Sequence, residues 1–436
     1  MKMLLKHHVT NPAALSIASQ LTWGAQGFIT FVMAGRLLPR KEFGFVVIAN
    51  AILFGCQCLL LGPVTNPTLR FGAISRKSLR ITYLMYCAVT AIVCFVFLGG
   101  SSQVGRLIDS DPDFVTLIKY LSIPFATVCL YSVQKIVLFS RMRYKTVLMM
   151  DILFTTTNVT GLLLLHVNGL LTSAVWFYIA RSGAAVVGLV PALLLYVLSR
   201  SKPTLEEDQP FDLREYFQHS KYSSISMFSS YGQSQVDVLA VAHFLSPLSA
   251  AVYGAAKVFY TGMTMVTSGL IMVVMPASSR IVASGAEGLR SYYRRTLLLA
   301  YALLLPGAVV LVVFAGSILH LCFGGRYADA VPIVRIFCIA ALILPVSSVT
   351  DAVANGAGWF RSACAAAVAG GVLGVAVSLY LPRVIGIAGA ALAPIVGLAG
   401  TAFVIASLTW GSLMARNSSP QVQIQTVTAA AQAREG

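Results

Sequence analysis

Long apolar runs separated by short polar breaks recur from the first residues of the chain to about residue 410. Hydropathy and polar punctuation predict helices over 13–36, 44–66, 81–100, 115–138, 147–166, 171–198, 223–244, 251–276, 296–320, 331–353, 363–380 and 386–409. A helix rising about 1.5 Å per residue needs about 20 apolar residues to cross roughly 30 Å of hydrocarbon. The runs meet that length closely enough to leave no room for a sizeable soluble domain. The expected fold class is all-α, a polytopic membrane protein of about twelve transmembrane helices.

Charge placement orients these segments. With the N-terminus inside, about 20 Lys and Arg fall in inward-facing segments, about 6 in outward turns and about 5 within helices, which puts both ends inside. Basic clusters at Arg70, Arg76, Lys77 and Arg80, at Arg141, Arg143 and Lys145, and at Arg280, Arg290, Arg294 and Arg295 suit anionic headgroups. The acidic, proline-containing stretch Ser201 to Glu215 is the one plausible linker. It divides the chain into a six-helix half over 1–200, a cytoplasmic linker over 201–221 and a second six-helix half over 222–410. A cytoplasmic, disordered tail is expected over 411–436. The turns around Leu38-Pro39 with Phe43-Gly44 and around Leu245-Ser246-Pro247 with Ala250-Ala251 echo one another, as internal repeats of transporters do.

Composition agrees: 57% of the 436 residues are hydrophobic, 11% are charged, and mean hydropathy is +0.81. The formal net charge of +16 sits in loops rather than on one surface, so it argues for a membrane and against a nucleic-acid partner. Eight cysteines lie mostly inside apolar runs without metal-ligand spacing, and neither a metal nor a cofactor is expected. The first run follows Lys2 and Lys6 but lacks a small-residue cleavage site, so it is expected to remain as the first helix.

Ionisable groups inside a bilayer are costly and therefore functional candidates, weighed against snorkelling to an interface. Arg181 lies about ten residues into its segment, roughly 15 Å from the end, too deep to escape. Lys257 shares a helical face with Tyr253, Tyr260, Thr261 and Thr264. Lys119 and Arg335 lie near segment ends, where snorkelling competes with ligand binding. Arg36 stands beside Arg40 and Lys41 on the side where positive charge is disfavoured. Lys135, near an inner end, reads as a headgroup anchor. The first segment carries Ser16, Ser19, Gln20, Trp23, Gln26 and Thr30, and the seventh carries Ser226, Ser230, Gln233 and Asp237. Such stripes face a wet cavity or serve as interhelical hydrogen-bond glue. Asp151 and Asp351 lie near inner ends, so Asp237 is the candidate coupling-ion site, or else the ion-pair partner of a nearby cation. Gly370 and Gly374 form a GxxxG that suits close helix packing.

Gly72 to Ser78 lacks the second glycine of a phosphate-cradling loop, and no loop could house paired catalytic carboxylates. His166, His243 and His320 are scattered near helix ends, so an enzyme is not expected. Positive groups in an acid-poor membrane interior suit an anionic ligand, with a pyrophosphate as the obvious candidate.

Four places resemble a known family. They are Gly35-Arg36-Leu37-Leu38-Pro39 with Phe43-Gly44; Ser140 to Asp151 (SRMRYKTVLMMD); Val236-Asp237-Val238 through Pro247; and Phe323 to Arg335 (FGGRYADAVPIVR) with Leu381 to Pro394 (LPRVIGIAGAALAP). Together, in this order, they resemble the Wzx-like polysaccharide-biosynthesis flippases of the multidrug/oligosaccharidyl-lipid/polysaccharide exporter superfamily. Ser246 and Ala251 depart from the glycines usual there.

The resemblance implies two six-helix lobes in a V around a cationic cavity. It also implies alternating access that carries a polyprenyl-(pyro)phosphate-linked oligosaccharide from the inner to the outer leaflet of a bacterial inner membrane. By the match, Arg36, Asp237 and Arg335 are its functional positions. The expected binding set is Arg36, Lys119, Arg181, Lys257, Arg335, Gln20, Trp23, Gln26, Gln233 and Tyr253. Expected partners are that lipid-linked oligosaccharide, for exopolysaccharide, capsule or O-antigen assembly, membrane lipid, and a polysaccharide polymerase with its chain-length machinery. Two alternatives stay open: a cation-coupled multidrug antiporter of the same superfamily, and a membrane-embedded sugar polymerase or acyl transferase.

Overall fold

The computed structural model describes residues 12–71, 76–108, 111–199, 213–283 and 288–414. These form α1 (Pro12–Leu37), α2 (Arg40–Phe71), α3 (Arg76–Gly99), α4 (Ser101–Ile108), α5 (Pro112–Tyr120), α6 (Ser122–Ser140), α7 (Tyr144–Val167), α8 (Ala174–Gly188) and α9 (Val190–Ser199) in the first half. The second half holds α10 (Leu213–Phe244), α11 (Pro247–Ala283), α12 (Leu289–Phe323), a 3₁₀ turn (Ala328–Ala330), α13 (Val331–Cys338), α14 (Ala340–Gly356), α15 (Phe360–Ile385) and α16 (Ile387–Met414). The described residues contain no strand. Most of the expected linker and the tail beyond Met414 lie outside the described residues.

Each expected run is present, three of them as broken pairs: α5 with α6, α8 with α9, and α13 with α14. Two breaks have a local cause. Pro124 and Pro191 lack an N–H, and their rings crowd the carbonyls of Tyr120 and Val187 four residues back, so the helix interrupts just before each. By length and composition, eight spans among the described residues could cross a membrane, or nine if the pair Ala328–Cys338 and Ala340–Gly356, bent by 45°, is one span. Three further long helices, α1, α10 and α11, are not among them. All three carry the polar stripes singled out in the sequence.

Termini follow their sequence signals. Pro112 opens α5 behind Asp111, whose carboxylate accepts the Asp113 N–H at 2.9 Å. Lys41 pairs with Asp111 and holds this carboxyl, which lies outside the spans, below its ordinary range. Gly324 ends α12 in the left-handed region at φ 68°, where its N–H reaches the His320 carbonyl at 2.8 Å.

Apolar side chains cover the outside of the bundle as well as filling its core. Leu84, Phe95 and Leu98 on α3 and Leu298, Leu303 and Val313 on α12 are exposed, as a lipid-facing surface requires. Inside, small residues set the helix spacing. A Cβ on Gly370 would meet the Thr401 hydroxyl at 1.9 Å and the Gly397 carbonyl at 2.6 Å, and one on Gly371 would meet the Ser229 carbonyl at 2.7 Å. The close packing expected from Gly370 and Gly374 is thus present where α15 meets α10 and α16. Gly370→Ala is expected to cost about 1–3 kcal/mol through overpacking, seen as a lower unfolding temperature in detergent.

Candidate substrate cavity

A cavity of about 750 Å³ lies between the two halves of the chain. Its walls come from α1, α2, α6, α7 and α8 of the first half and α10 and α11 of the second. α10 packs along α2 on one side, where Gly55 faces the Tyr231 ring and Gly62 the Ser224 backbone. α1 meets α11 on the other, with the Met265 thioether against Gly24. Toward the Arg36–Phe43 turn the halves close on one another. There a Cβ on Gly44 would lie 2.1 Å from the Pro247 carbonyl oxygen, and one on Gly254 would lie 2.3 Å from Val47.

That end is also fastened by polar contacts. Arg326 donates to the carbonyls of Arg36 and Leu38 at 3.2 Å each, Arg40 pairs with Asp329 at 2.7 Å, and Phe43 packs on Phe323 and Tyr327. Arg36 itself is exposed and donates to the Leu321 carbonyl at 3.4 Å. The two segments in contact here, Gly35–Gly44 and Phe323–Arg335, are two of the four that carry the family resemblance.

Three cations line the cavity among the described residues, and each is held differently. Lys257 on α11 gives its amino hydrogens to both carboxylate oxygens of Asp237 at 2.7 Å and to the Ser234 carbonyl at 2.5 Å. Behind it Tyr253 donates to Asp237 and lies near the Ala390 carbonyl at 3.2 Å. Lys135 on α6 reaches both oxygens of the fully buried Asp151 at 2.9 Å. Asp151 also accepts from Ser19 and, at 2.5 Å, from Tyr131, while Trp23 stacks on Tyr131 and lies 4.9 Å from the Lys135 amino group. Arg181 on α8 has no acidic partner among the described residues. One of its terminal nitrogens donates to the Asn50 side chain at 3.1 Å, and its buried Nε has no partner.

Of the expected binding residues, Gln20, Trp23, Gln26, Arg181 and Lys257 line the cavity. Tyr253 stands one layer behind, and Asp237 is the ion-pair partner of Lys257. Arg36, Lys119 and Arg335 are exposed and outside the lining. Gln233 faces α15 and α16 instead, near Gly374 and Gly397 and 3.4 Å from the Thr401 hydroxyl. The cavity face of α10 is Met227, Gln235 and Val238, because the glycines of α15 and α16 draw the small polar side of that helix toward them.

Lys135 requires a correction. It is no headgroup anchor, since Asp151 and the Trp23 ring hold it in the cavity wall. The signal was present: Tyr131 and Lys135 repeat, on the fourth segment, the four-residue spacing of Tyr253 and Lys257 on the eighth. Asn50 and Gln57, which also line the cavity, were hidden in an apolar run.

A bundle of long helices whose charged side chains converge on a central cavity between two chain halves has the fold of a membrane transporter. Similar solved structures include an inward-facing multidrug resistance MATE family transporter of the MOP superfamily (TM-score 0.72, 14% identity, 90% of this chain and 94% of that one). Another is the lipid II flippase MurJ in an inward closed conformation (TM-score 0.65, 14% identity, 91% and 87%). The family described as polysaccharide biosynthesis protein matches residues 32–332, and the chain belongs to it. The lipopolysaccharide biosynthesis protein WzxC of Escherichia coli (strain K12) is 20% identical over 333 residues, which cover 74% of this chain and 64% of that protein's length.

Proposed function

We propose that the protein is a flippase that moves a lipid-linked oligosaccharide, joined to its polyprenyl carrier through phosphate, from the inner to the outer leaflet for polysaccharide assembly. The observation that carries this reading is the convergence of Lys135, Arg181 and Lys257 on one cavity whose other polar lining is amide and hydroxyl. Cations suit the phosphate, while Gln20, Gln26, Asn50 and Gln57 suit sugar hydroxyls. The expectation that the protein is no enzyme accords with the transporters it resembles in fold. The two halves act as lobes that rock about the α2–α10 and α1–α11 seams, and the contacts at Arg36–Phe43 form the outer closure of an inward-facing state.

Reconstitution into liposomes with a fluorescent polyprenyl-diphosphate oligosaccharide in one leaflet tests the reading. Accelerated translocation supports it. No translocation, with export of an organic cation, would make the protein a drug antiporter instead. The outer closure has its own test, in which a maleimide added outside alkylates a Gln26→Cys probe. Arg40→Ala is expected to change that rate by less than about fivefold, because exposed ion pairs contribute about 0–1 kcal/mol. Phe43→Ala removes a buried ring at the same contact and changes it more.

A further inference from the structure

The cavity's positive charge is mostly spoken for. Among the described residues, Lys257 is neutralised by Asp237 and Lys135 by Asp151, which leaves Arg181 as the one uncompensated cation in the lining. A phosphodiester linkage carries a single negative charge and is matched by Arg181 alone. A diphosphate linkage carries two, and a second charge left unmatched in a water-poor cavity is costly.

The two ion pairs are not equally able to supply a second cation. Lys257 has all three amino hydrogens directed at oxygen acceptors, two from Asp237 and one from Ser234. Lys135 has oxygen acceptors from Asp151 alone, with the Trp23 ring as its further neighbour. If Lys135 turns away, Asp151 keeps only two neutral donors, Ser19 and Tyr131, which do not replace an ammonium opposite a desolvated carboxylate, so the carboxylate needs a proton in its place. The groups facing Asp151 are Ser19 and Trp23 from α1, and Tyr131 and Lys135 from α6. Of the other helices packed on α7, α8 carries Arg181 and Tyr178, whose hydroxyl donates to the Val46 carbonyl, and α9 carries Tyr196, which is exposed.

We infer that Asp151 is a proton-binding site coupled to the charge of the substrate linkage. Binding of a diphosphate-linked lipid takes up one proton on the Asp151 carboxylate, which becomes the neutral acid, and the released Lys135 ammonium joins Arg181 on the diphosphate. A phosphodiester-linked lipid binds with both ion pairs intact and takes up none. This rests on the flippase reading above, and it places coupling in the first half of the chain, at Asp151 rather than Asp237.

The test is titration calorimetry of the full-length protein in detergent, with short-chain prenyl diphosphoryl-glucose and prenyl phosphoryl-glucose, in buffers of different ionisation enthalpy. About one proton should be taken up per diphosphoryl lipid and about none per phosphoryl lipid. Asp151→Asn, which keeps the side chain's shape, should bind the diphosphoryl lipid with no proton uptake. Binding of the diphosphoryl lipid to the wild type without proton uptake would overturn the inference and leave the flippase reading standing. Equal uptake for the two lipids, or uptake unchanged in Asp151→Asn, would do the same. Failure of both lipids to bind would sink the two together. The wild-type comparison needs no variant, so it decides even if Asp151→Asn does not fold.

Discussion

Lys257→Ala should yield a protein that is hard to recover folded, with a stability loss of about 3–5 kcal/mol, while Lys257→Ala combined with Asp237→Asn should regain most of it. Asp237 is fully buried, and without the lysine its remaining partners are the Tyr253 hydroxyl and the Val238 N–H. Two neutral donors do not replace an ammonium group opposite a desolvated carboxylate. Removing the charge of Asp237 removes the need for compensation. The check is the unfolding temperature of the single and double variants in the same detergent. If the double variant were no more stable than Lys257→Ala, the ion pair would not be what holds α10 to α11.

Arg181→Ala, by contrast, should leave a folded protein that has lost about 10- to 100-fold of its translocation rate, the equivalent of a charge-assisted hydrogen-bond set worth about 1.5–3 kcal/mol. Arg181 contributes little to folding, because its one described polar contact is with Asn50 and its buried Nε is unsatisfied. A buried donor without an acceptor is a group waiting for one. Arg181→Lys should recover only part of the rate, since a single ammonium cannot bridge phosphate oxygens as a guanidinium fork does. Translocation rates in liposomes, set beside unfolding temperatures, separate this outcome from misfolding. An Arg181→Ala protein that translocates at the wild-type rate would remove Arg181 from the binding site.

The helices were legible in the sequence because a bilayer demands long apolar runs, and Arg181 and Lys257 were legible because depth inside such a run leaves few escapes. What could not be read was direction. The stripe on α10 has the right spacing for a cavity face, yet Gln233 is claimed by Gly374 and Gly397, residues well over a hundred positions away. Lys135 was misjudged for a related reason. Distance from a segment end measures depth in a uniform slab, and the cavity wall at Trp23 and Lys135, backed by the buried Tyr131 and Asp151, reaches toward that end. Asp151 carried the better clue, since an acid within an apolar run needs a cation within reach, and Lys135 is the basic residue of the preceding helix interior. The break between α13 and α14 has no proline at it, and no local feature of the sequence marks it.

The fastening at the Arg36–Phe43 end also bears on turnover. Its ionic parts are exposed, with Arg40 and Asp329 at 38% and 69% side-chain exposure, so water can take over each bond as it breaks. A catch of this kind holds position without setting a deep energy well. Closure is then decided by the tilted and edge-to-face rings of Phe43, Phe323 and Tyr327 and by the fit of Gly44 against Pro247. On the flippase reading proposed above, a carrier that returns empty on every cycle gains from that division of labour, because a deep well on one side would become the slow step of the return journey.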